Sequence, residues 1–229
     1  MPNWAYTRLI LDGTKEDVDS VLADVAGEGR AVDFNKIVPM PGCFRDLPCL
    51  AGREYKCAID FYYAAVREGK DPLRLLDEGE LPEELLEAGK DWETTARSVL
   101  SVKAPREMEK NELLRQTYSR PFEEVVRSYL VCMKETGFAD ATEWAKKFWG
   151  CKWNADAGSV TGNIISFSTP WSPPFPVFKA LAERYKDVVF TAVMSVDDYE
   201  YEEKVEYRFN REKGVVEETQ LGRTLLKKR

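Results

Sequence analysis

The spacing of apolar residues changes along the chain, and these changes predict which parts form strands and which form helices. Residues 3–11 are rich in aromatic and β-branched side chains, which is typical of a strand. Residues 18–25 repeat apolar side chains every three or four positions after a capping threonine, which predicts an amphipathic helix. Residues 31–38 alternate between apolar and polar side chains and predict a second strand. The opening of the chain therefore predicts a β-α-β arrangement.

The middle of the chain, residues 42–139, is dominated by helical spacing. One apolar stripe runs through residues 58–65, and a stronger one runs through residues 122–133. Three further helices are predicted at 81–88, 92–102 and 106–118.

Strand and helix signals alternate again in residues 140–229. Ser172 followed by two prolines has the form of a helix N-cap, and a glycine-containing loop at 210–214 separates two strand-like runs, as in a β-hairpin. The elements predicted here are a helix ending at Gly150, a loop at 151–163, a strand at 164–168, a helix after Ser172, a strand at 187–196 and hairpin strands at 204–209 and 215–219.

Sheet-forming segments at both ends, separated by a helical middle, favour an α+β fold with antiparallel strand pairing. We therefore predict one α+β domain built from residues 1–41 and 140–229, with helices packed on one face of its sheet. Residues 42–139 are predicted to form a mostly α-helical insertion in this domain.

The net charge of −7 is unevenly placed, with two acidic runs in the chain. An acidic field repels a phosphate backbone, so we do not expect direct binding to nucleic acid. The acidic runs are either solvated faces or partner-binding surfaces on which carboxylates mimic the phosphates of a nucleic acid. The residues expected to face a partner are Glu80, Glu83, Glu84, Glu87, Asp197, Asp198 and Glu200.

The chain contains no histidine. This removes Ser-His-Asp and Cys-His nucleophile activation, imidazole zinc sites and the usual general base near neutral pH. An enzyme built from this chain would have to use carboxylates, lysine, tyrosine or a carboxylate-bound metal. We predict no catalytic residue, metal or cofactor, and we favour a non-enzymatic role while leaving an enzymatic one open.

The five cysteines are odd in number and contain no C-x-x-C spacing, which is typical of reduced thiols in a cytosolic protein. The role of Cys43, Cys49 and Cys57, which lie close together in the sequence, stays open.

No apolar run approaches the roughly 18 residues that a membrane span requires, and the chain does not begin with a signal region. We therefore predict a cytoplasmic protein without membrane contact.

Four motifs of this chain resemble the YubB-like proteins of phages and conjugative plasmids, a family of unknown function. They are MPNWAYTRLIL at 1–11, VDFNKIVPMP at 32–41, WGCKWNA at 149–155 and FSTPWSPPFPV at 167–177. The motifs occur in the family's order and frame the whole chain, whereas the helical middle matches only loosely. The resemblance implies that the C-terminal part is ferredoxin-like and that the chain comes from a mobile genetic element.

Two of these motifs contain the candidate ligand-binding residues. In WGCKWNA, a lysine between two tryptophans can hold an anionic ligand or make a cation–π contact. The helix start after Ser172 is expected to offer free N–H groups to an anion. The alternative for every candidate is a purely structural role in packing or capping. The candidates are Trp149, Lys152, Trp153, Asn154, Trp171 and Ser172.

Two functions from different classes follow. The first is a non-enzymatic accessory protein of a phage or other mobile element that binds a host protein or nucleoprotein complex, with anti-CRISPR or anti-restriction counter-defence as its expected role. The second is a protein or enzyme that binds a small anionic ligand, a nucleotide or sugar phosphate, in a Lys/Trp pocket. The partner and the oligomeric state stay open.

Overall fold

Strands from both ends of the chain pair into one antiparallel sheet, in the order β2-β3-β1-β4-β5-β6. The computed structural model describes residues 3–45, 47, 52–101, 116–197 and 201–225. β1 lies between β3 and β4, with Ala5 opposite both Thr169 and Val196. The strands are β1 (Trp4–Asp12), β2 (Asp156–Thr161), β3 (Ile164–Pro170), β4 (Val189–Val196), β5 (Tyr201–Asn210) and β6 (Val215–Leu225).

The chain divides into two compact units, one comprising Met1–Met40 with Thr142–Arg229 and the other comprising Pro41–Ala141. We call the first the sheet unit and the second the helical unit. The helices are α1 (Lys15–Val25), α2 (Phe34–Ile37), α3 (Gly52–Arg67), α4 (Pro72–Asp77), α5 (Glu83–Ser101), α6 (Phe122–Thr136), α7 (Ala141–Phe148) and α8 (Phe175–Arg184), with a short 3-10 turn at Gly42–Phe44.

The order of elements in the sheet unit is that of a ferredoxin-like fold. β1 and α1 are followed, after the helical unit, by β2, β3, α8 and β4, which gives β-α-β-β-α-β. The four strands lie in the order β2-β3-β1-β4, and the β5–β6 hairpin extends the sheet beyond β4. The predicted α+β class and the predicted antiparallel ferredoxin-like sheet from both chain ends are therefore confirmed.

The core of the sheet unit lies between one face of the sheet and its helices. Along β1, Ala5, Leu9 and Leu11 are buried, while Tyr6 and Arg8 on the opposite face are exposed. This alternation follows from the two-residue period of a strand. The buried helix residues of this core include Val18, Val21 and Val25 on α1 and Val177, Phe178, Leu181 and Ala182 on α8.

The helical unit has a separate core formed by α3 to α6. Trp92 of α5 is buried there and donates a hydrogen bond from Nε1 to the carbonyl of Arg120, at 3.2 Å. The buried cluster consists of Ala58, Phe61, Leu76, Leu85, Trp92, Val125, Val126, Tyr129 and Leu130. The helices predicted at 81–88 and 92–102 form the single helix α5, whereas the helix predicted at 106–118 lies mostly outside the described residues.

The strand predicted at 31–38 is wrong, because this segment contains the short helix α2. Asp33 is its N-cap, and the Asp33 carboxylate accepts a hydrogen bond from the backbone N–H of Asn35 at 2.9 Å. The buried residues Phe34 and Ile37 are three positions apart, as a helix requires. Lys36 is exposed.

The loop predicted at 151–163 is also wrong in part, because β2 occupies Asp156–Thr161. β2 pairs with β3 through a tight turn at Gly162 and Asn163, and its register shifts between Asp156 and Ser159. The irregular register and the small residues around it hide the alternation by which a strand is usually recognised.

Candidate functional site

The motif WGCKWNA lies at one end of the sheet unit, and its first tryptophan is part of the core. Trp149 is buried, and its Nε1 donates a hydrogen bond to the carbonyl of Val38 at 2.8 Å. Its ring makes edge-to-face contacts with Phe34 and Trp144, at centroid distances of 5.8 and 5.5 Å. The indole therefore fills the space between the sheet and its helices.

Asn154 of the same motif joins two distant parts of the chain. Its Oδ1 accepts hydrogen bonds from the backbone N–H groups of Phe34 and Ala155, both at 2.9 Å. Its Nδ2 donates to Oδ1 of Asp33 at 2.6 Å. Since Asp33 also caps α2, the Asn154 amide holds the start of α2 against the loop before β2.

Lys152 and Trp153 are the more accessible members of the motif. The Nζ atom of Lys152 lies 5.5 Å from the centre of the Trp153 ring, within the range of a cation–π contact. Trp153 is 40% exposed and meets Trp4 edge-to-face, at a centroid distance of 6.3 Å.

Ser172 does not cap α8, contrary to the sequence prediction. The helix begins at Phe175 after Pro174, without a side-chain cap. The hydroxyl of Ser172 instead donates to the carbonyl of Gly150 at 2.5 Å, and the Ser172 carbonyl accepts a bond from Oγ1 of Thr169 at 2.8 Å. Ser172 thus ties the β3–α8 turn to WGCKWNA.

The helix start is also not the anion site that the sequence predicted. The backbone N–H of Phe175 donates to Pro173, and those of Val177 and Phe178 donate to Pro174. Pro176 has no backbone N–H. The first turn of α8 therefore presents no free backbone donor to a ligand.

Trp171 has a backbone conformation that bulky residues rarely adopt. Its φ is +72°, and it is the one non-glycine residue with positive φ among the residues that the structure describes. Its N–H donates to the carbonyl of Asn3 at 2.8 Å, which holds the turn in place. The indole is 54% exposed.

Beside Trp171 is a cavity of about 270 Å³, which we call the Trp171 pocket. It lies where β3, β4 and β5 reach the same end of the sheet. Trp171 and Ser172 line it, whereas Trp149, Lys152, Trp153 and Asn154 do not. Its other lining residues are Pro173, Phe175, Met194, Ser195, Val196, Tyr201 and Glu203.

Sequence reasoning missed Tyr201, Glu203 and Arg223. Tyr201 and Glu203 are two positions apart on β5, so both lie on one face of the strand. Arg223 of β6 is opposite Glu203 in the hairpin, donates a hydrogen bond from Nε to Oε1 of Glu203 at 3.1 Å, and forms an ion pair with it. Its guanidinium carbon lies 4.0 Å from the centre of the Tyr201 ring. The two-residue spacing of tyrosine and glutamate was the available signal in the sequence.

The predicted acidic residues are in two different settings. Glu80, Glu83 and Glu84 are exposed in the helical unit, and Glu87 forms an ion pair with Lys90 at 2.6 Å. Asp197 accepts a hydrogen bond from the backbone N–H of Trp4 at 2.9 Å and so links β4 to β1. Asp198 and Glu200 lie outside the described residues.

Two negative findings apply to the part of the chain that the structure describes. No group of three Cys, Asp or Glu side chains there is close enough to hold a metal ion. No helix there is long and apolar enough to cross a membrane.

Cys151, between the two tryptophans of the motif, is a buried thiol. Its Sγ donates to the carbonyl of Trp153 at 3.2 Å, and burial raises the pKa of the thiol to about 12. In the unfolded chain a cysteine ionises near pH 8.5. The folded state therefore resists ionisation of this thiol at neutral and moderately alkaline pH.

We expect this thiol to make the protein less stable in alkali. Its contribution to the free energy of unfolding is fully present below about pH 8.5 and declines by about 1.4 kcal/mol per unit as the pH rises towards the folded-state pKa. Urea unfolding at about pH 8 and pH 10 should show a smaller loss for Cys151→Ser than for the parent, because serine does not titrate there. Equal losses of unfolding free energy in the two proteins would contradict the raised pKa of Cys151.

The element order and strand order place the sheet unit in the ferredoxin-like class, and a comparison with known protein families agrees. A family model described as "Ferredoxin-like domain in Api92-like protein" matches residues 148–212. This confirms the predicted ferredoxin-like C-terminal part and shows that this segment is similar to the corresponding domain of Api92-like proteins. The match begins at Phe148 and does not include β1 or α1, which complete the fold.

One solved structure similar to this chain is the crystal structure of a protein api92 from Yersinia pseudotuberculosis. It is 11% identical to this chain, the alignment covers 97% of this chain and 99% of that one, and the TM-score is 0.44. No curated protein matches the chain.

Proposed function

We propose that this chain is a non-enzymatic accessory protein of a phage or plasmid that binds a basic surface of a host protein or nucleoprotein complex, in a counter-defence role. The observation that carries the proposal is the charge of the helical unit. Residues 41–141 contain 20 acidic and 15 basic side chains, so this unit carries −5 of the net charge of −7. The mobile-element origin follows from the YubB-like resemblance.

The start of α5 is the surface best suited to such a partner. Glu80, Glu83 and Glu84 are exposed there; Glu83 and Glu84 form no ion pair with another described residue, whereas Glu80 interacts electrostatically with Lys70 and Arg74. Carboxylates that lack local counterions attract a basic partner and increase its association rate. Three exposed carboxylates within five positions also resemble the repeated charges of a phosphate backbone.

Affinity capture from host lysate tests this proposal. The immobilised chain should retain a host protein at low salt and release it as salt rises, because screening weakens an electrostatic interface. The triple variant Glu80→Gln/Glu83→Gln/Glu84→Gln should lose most of the captured protein. The matched control is Glu28→Gln/Glu183→Gln/Glu212→Gln, which removes three exposed carboxylates of the sheet unit and should retain the captured protein.

Two results would overturn the proposal: capture that does not exceed background at any salt concentration, or equal loss of capture in both triple variants. A gel shift with DNA or RNA at low salt should be flat, since direct nucleic-acid binding is not part of the proposal.

The alternative, a site for a small anionic ligand at Lys152, Trp153 and Ser172, has less support. Lys152 does not line the Trp171 pocket, and the one charged lining residue in the described part of the chain is Glu203. A carboxylate in the wall disfavours a phosphate ligand. A rise in the thermal unfolding temperature with nucleotides or sugar phosphates, abolished by Lys152→Ala, would support this alternative.

A further inference from the structure

We propose that the Trp171 pocket of the sheet unit binds a guanidinium group, the side chain of an arginine presented by a protein partner. This rests on the proposed function only in that a protein presents the arginine, since the chemistry of the pocket is independent of the acidic helix α5. Nothing in the family match assigns a ligand to this end of the sheet.

The walls of the pocket suit a planar cation with an apolar stem. Trp171, Phe175 and Tyr201 contribute aromatic rings, and Met194 contributes a buried thioether. Aromatic faces attract cations, and the guanidinium group stacks on them especially well because it is planar and weakly hydrated. The volume of about 270 Å³ is below the range of roughly 300–1,000 Å³ for sites that take drug-sized ligands. The pocket therefore suits one side chain better than a nucleotide.

The charge of the pocket points to the same ligand. Among the residues that the structure describes, Glu203 is the one charged residue that lines the pocket, and it is only partly exposed. Both bonds from Arg223 go to Oε1 of Glu203. Among the described residues no donor bonds the other oxygen, Oε2. Arg223 therefore does not use the full hydrogen-bonding capacity of this carboxylate.

Arg223 of this chain already makes the two kinds of contact that we propose for the arginine of a partner. Its guanidinium both stacks over Tyr201 at 4.0 Å and pairs with Glu203, so it contacts two lining residues. A ring and a carboxylate arranged in this way bind a guanidinium through stacking and charge-assisted hydrogen bonds together. An incoming arginine uses the same two groups and so competes with Arg223.

The backbone conformation at Trp171 supports a binding role for its side chain. A tryptophan at positive φ is strained, and glycine would avoid that strain. The hydrogen bond to Asn3 and the Ser172–Gly150 bond fix this turn and leave the indole exposed at the pocket.

The test is a titration of the full chain with N-acetyl-arginine N-methylamide, followed by the indole N–H signals in a ¹H–¹⁵N spectrum. The Trp171 signal is identified by its absence from Trp171→Gly, a variant that glycine's tolerance of positive φ keeps folded. The expected result is a saturable shift of this signal. The citrulline analogue has the same shape without the charge and should produce no saturable shift. The lysine analogue should bind more weakly than the arginine analogue, because it cannot stack or pair in a plane.

Three variants sharpen the test. Glu203→Gln should weaken arginine binding by about tenfold or more, since it removes a charge-assisted hydrogen bond. Glu202→Gln, the neighbouring carboxylate on the other face of β5, should leave the affinity unchanged. Arg223→Gln should tighten binding several-fold, because it removes the internal competitor.

The proposal is overturned if neither the parent nor Arg223→Gln shows a saturable shift, if citrulline binds as well as arginine, or if Glu203→Gln and Glu202→Gln behave alike. Failure here is separable from failure of the proposed function. The titration needs no host protein, and the capture experiment depends on α5 rather than on Glu203.

Discussion

Replacing Trp149 with alanine is expected to lower the free energy of unfolding by about 3–5 kcal/mol, the usual cost of deleting a fully buried tryptophan. The indole is 2% exposed, packs edge-to-face on Phe34 and Trp144, and donates a hydrogen bond to Val38. Its loss leaves a large cavity and an unpaired carbonyl. Urea unfolding monitored by circular dichroism measures the effect.

Trp153→Ala is the matched control, because it deletes the same side chain four positions along the chain. Trp153 is 40% exposed, so the expected loss is only about 1 kcal/mol. Equal losses at the two positions would mean that the burial assigned to Trp149 is wrong. A large difference would show that one tryptophan of WGCKWNA holds the fold while the other remains accessible for contacts.

Gly150→Ala is expected to cost about 2–4 kcal/mol, through two separate effects. The residue has a φ of +81°, which any L-residue with a Cβ adopts only at a cost. In addition, a Cβ at this position would lie 2.6 Å from Cδ of Pro176 in the first turn of α8. The new methyl group therefore pushes α8 away from WGCKWNA.

Gly162→Ala separates the two effects. Gly162 has a φ of +59°, but a Cβ there would meet nothing within 4 Å. The expected loss is therefore about 1 kcal/mol, from the backbone alone. Thermal unfolding of both variants gives the comparison, and equal losses would show that the close approach to Pro176 contributes nothing.

The fold class was predictable because its strongest signals are local. The stripe of Val18, Val21 and Val25 occupies the buried face of α1, as predicted. The glycine-containing loop predicted at 210–214 forms the turn of the β5–β6 hairpin, and Gly214 there has a positive φ. Both features depend only on residues that are neighbours in the chain.

The errors arose where short segments carry conflicting patterns. Residues 31–38 alternate as a strand would, yet Asp33 caps a single helical turn that buries Phe34 and Ile37. In β2 the alternation is broken by a register shift, although Gly162-Asn163 between two strands is a recognised hairpin turn. A prediction that used this turn sequence would have identified β2.

The site was less predictable than the fold because it depends on distant pairing. Trp171 and Ser172 stand out in the sequence by their tryptophan and proline neighbours, and both line the pocket. Glu203 and Arg223 have no tryptophan or proline neighbours, and the two-residue spacing of Tyr201 and Glu203 is a weaker signal. They reach this end of the sheet only because β5 pairs with β4 and β6 pairs with β5.

The position of β1 in the centre of the sheet has a consequence for synthesis on the ribosome. Its two neighbours, β3 and β4, both come from the far end of the chain. Ala5 pairs with Val196, which is synthesised about 190 residues later. Synthesis of this segment takes roughly 10–40 s at ordinary translation rates. Until β3 is synthesised the nascent β1 exposes both unpaired edges, and until β4 follows it exposes one, while the helical unit, which ends at Ala141, is complete earlier. A chaperone that covers the N-terminal strand until translation ends should therefore raise the yield of folded protein.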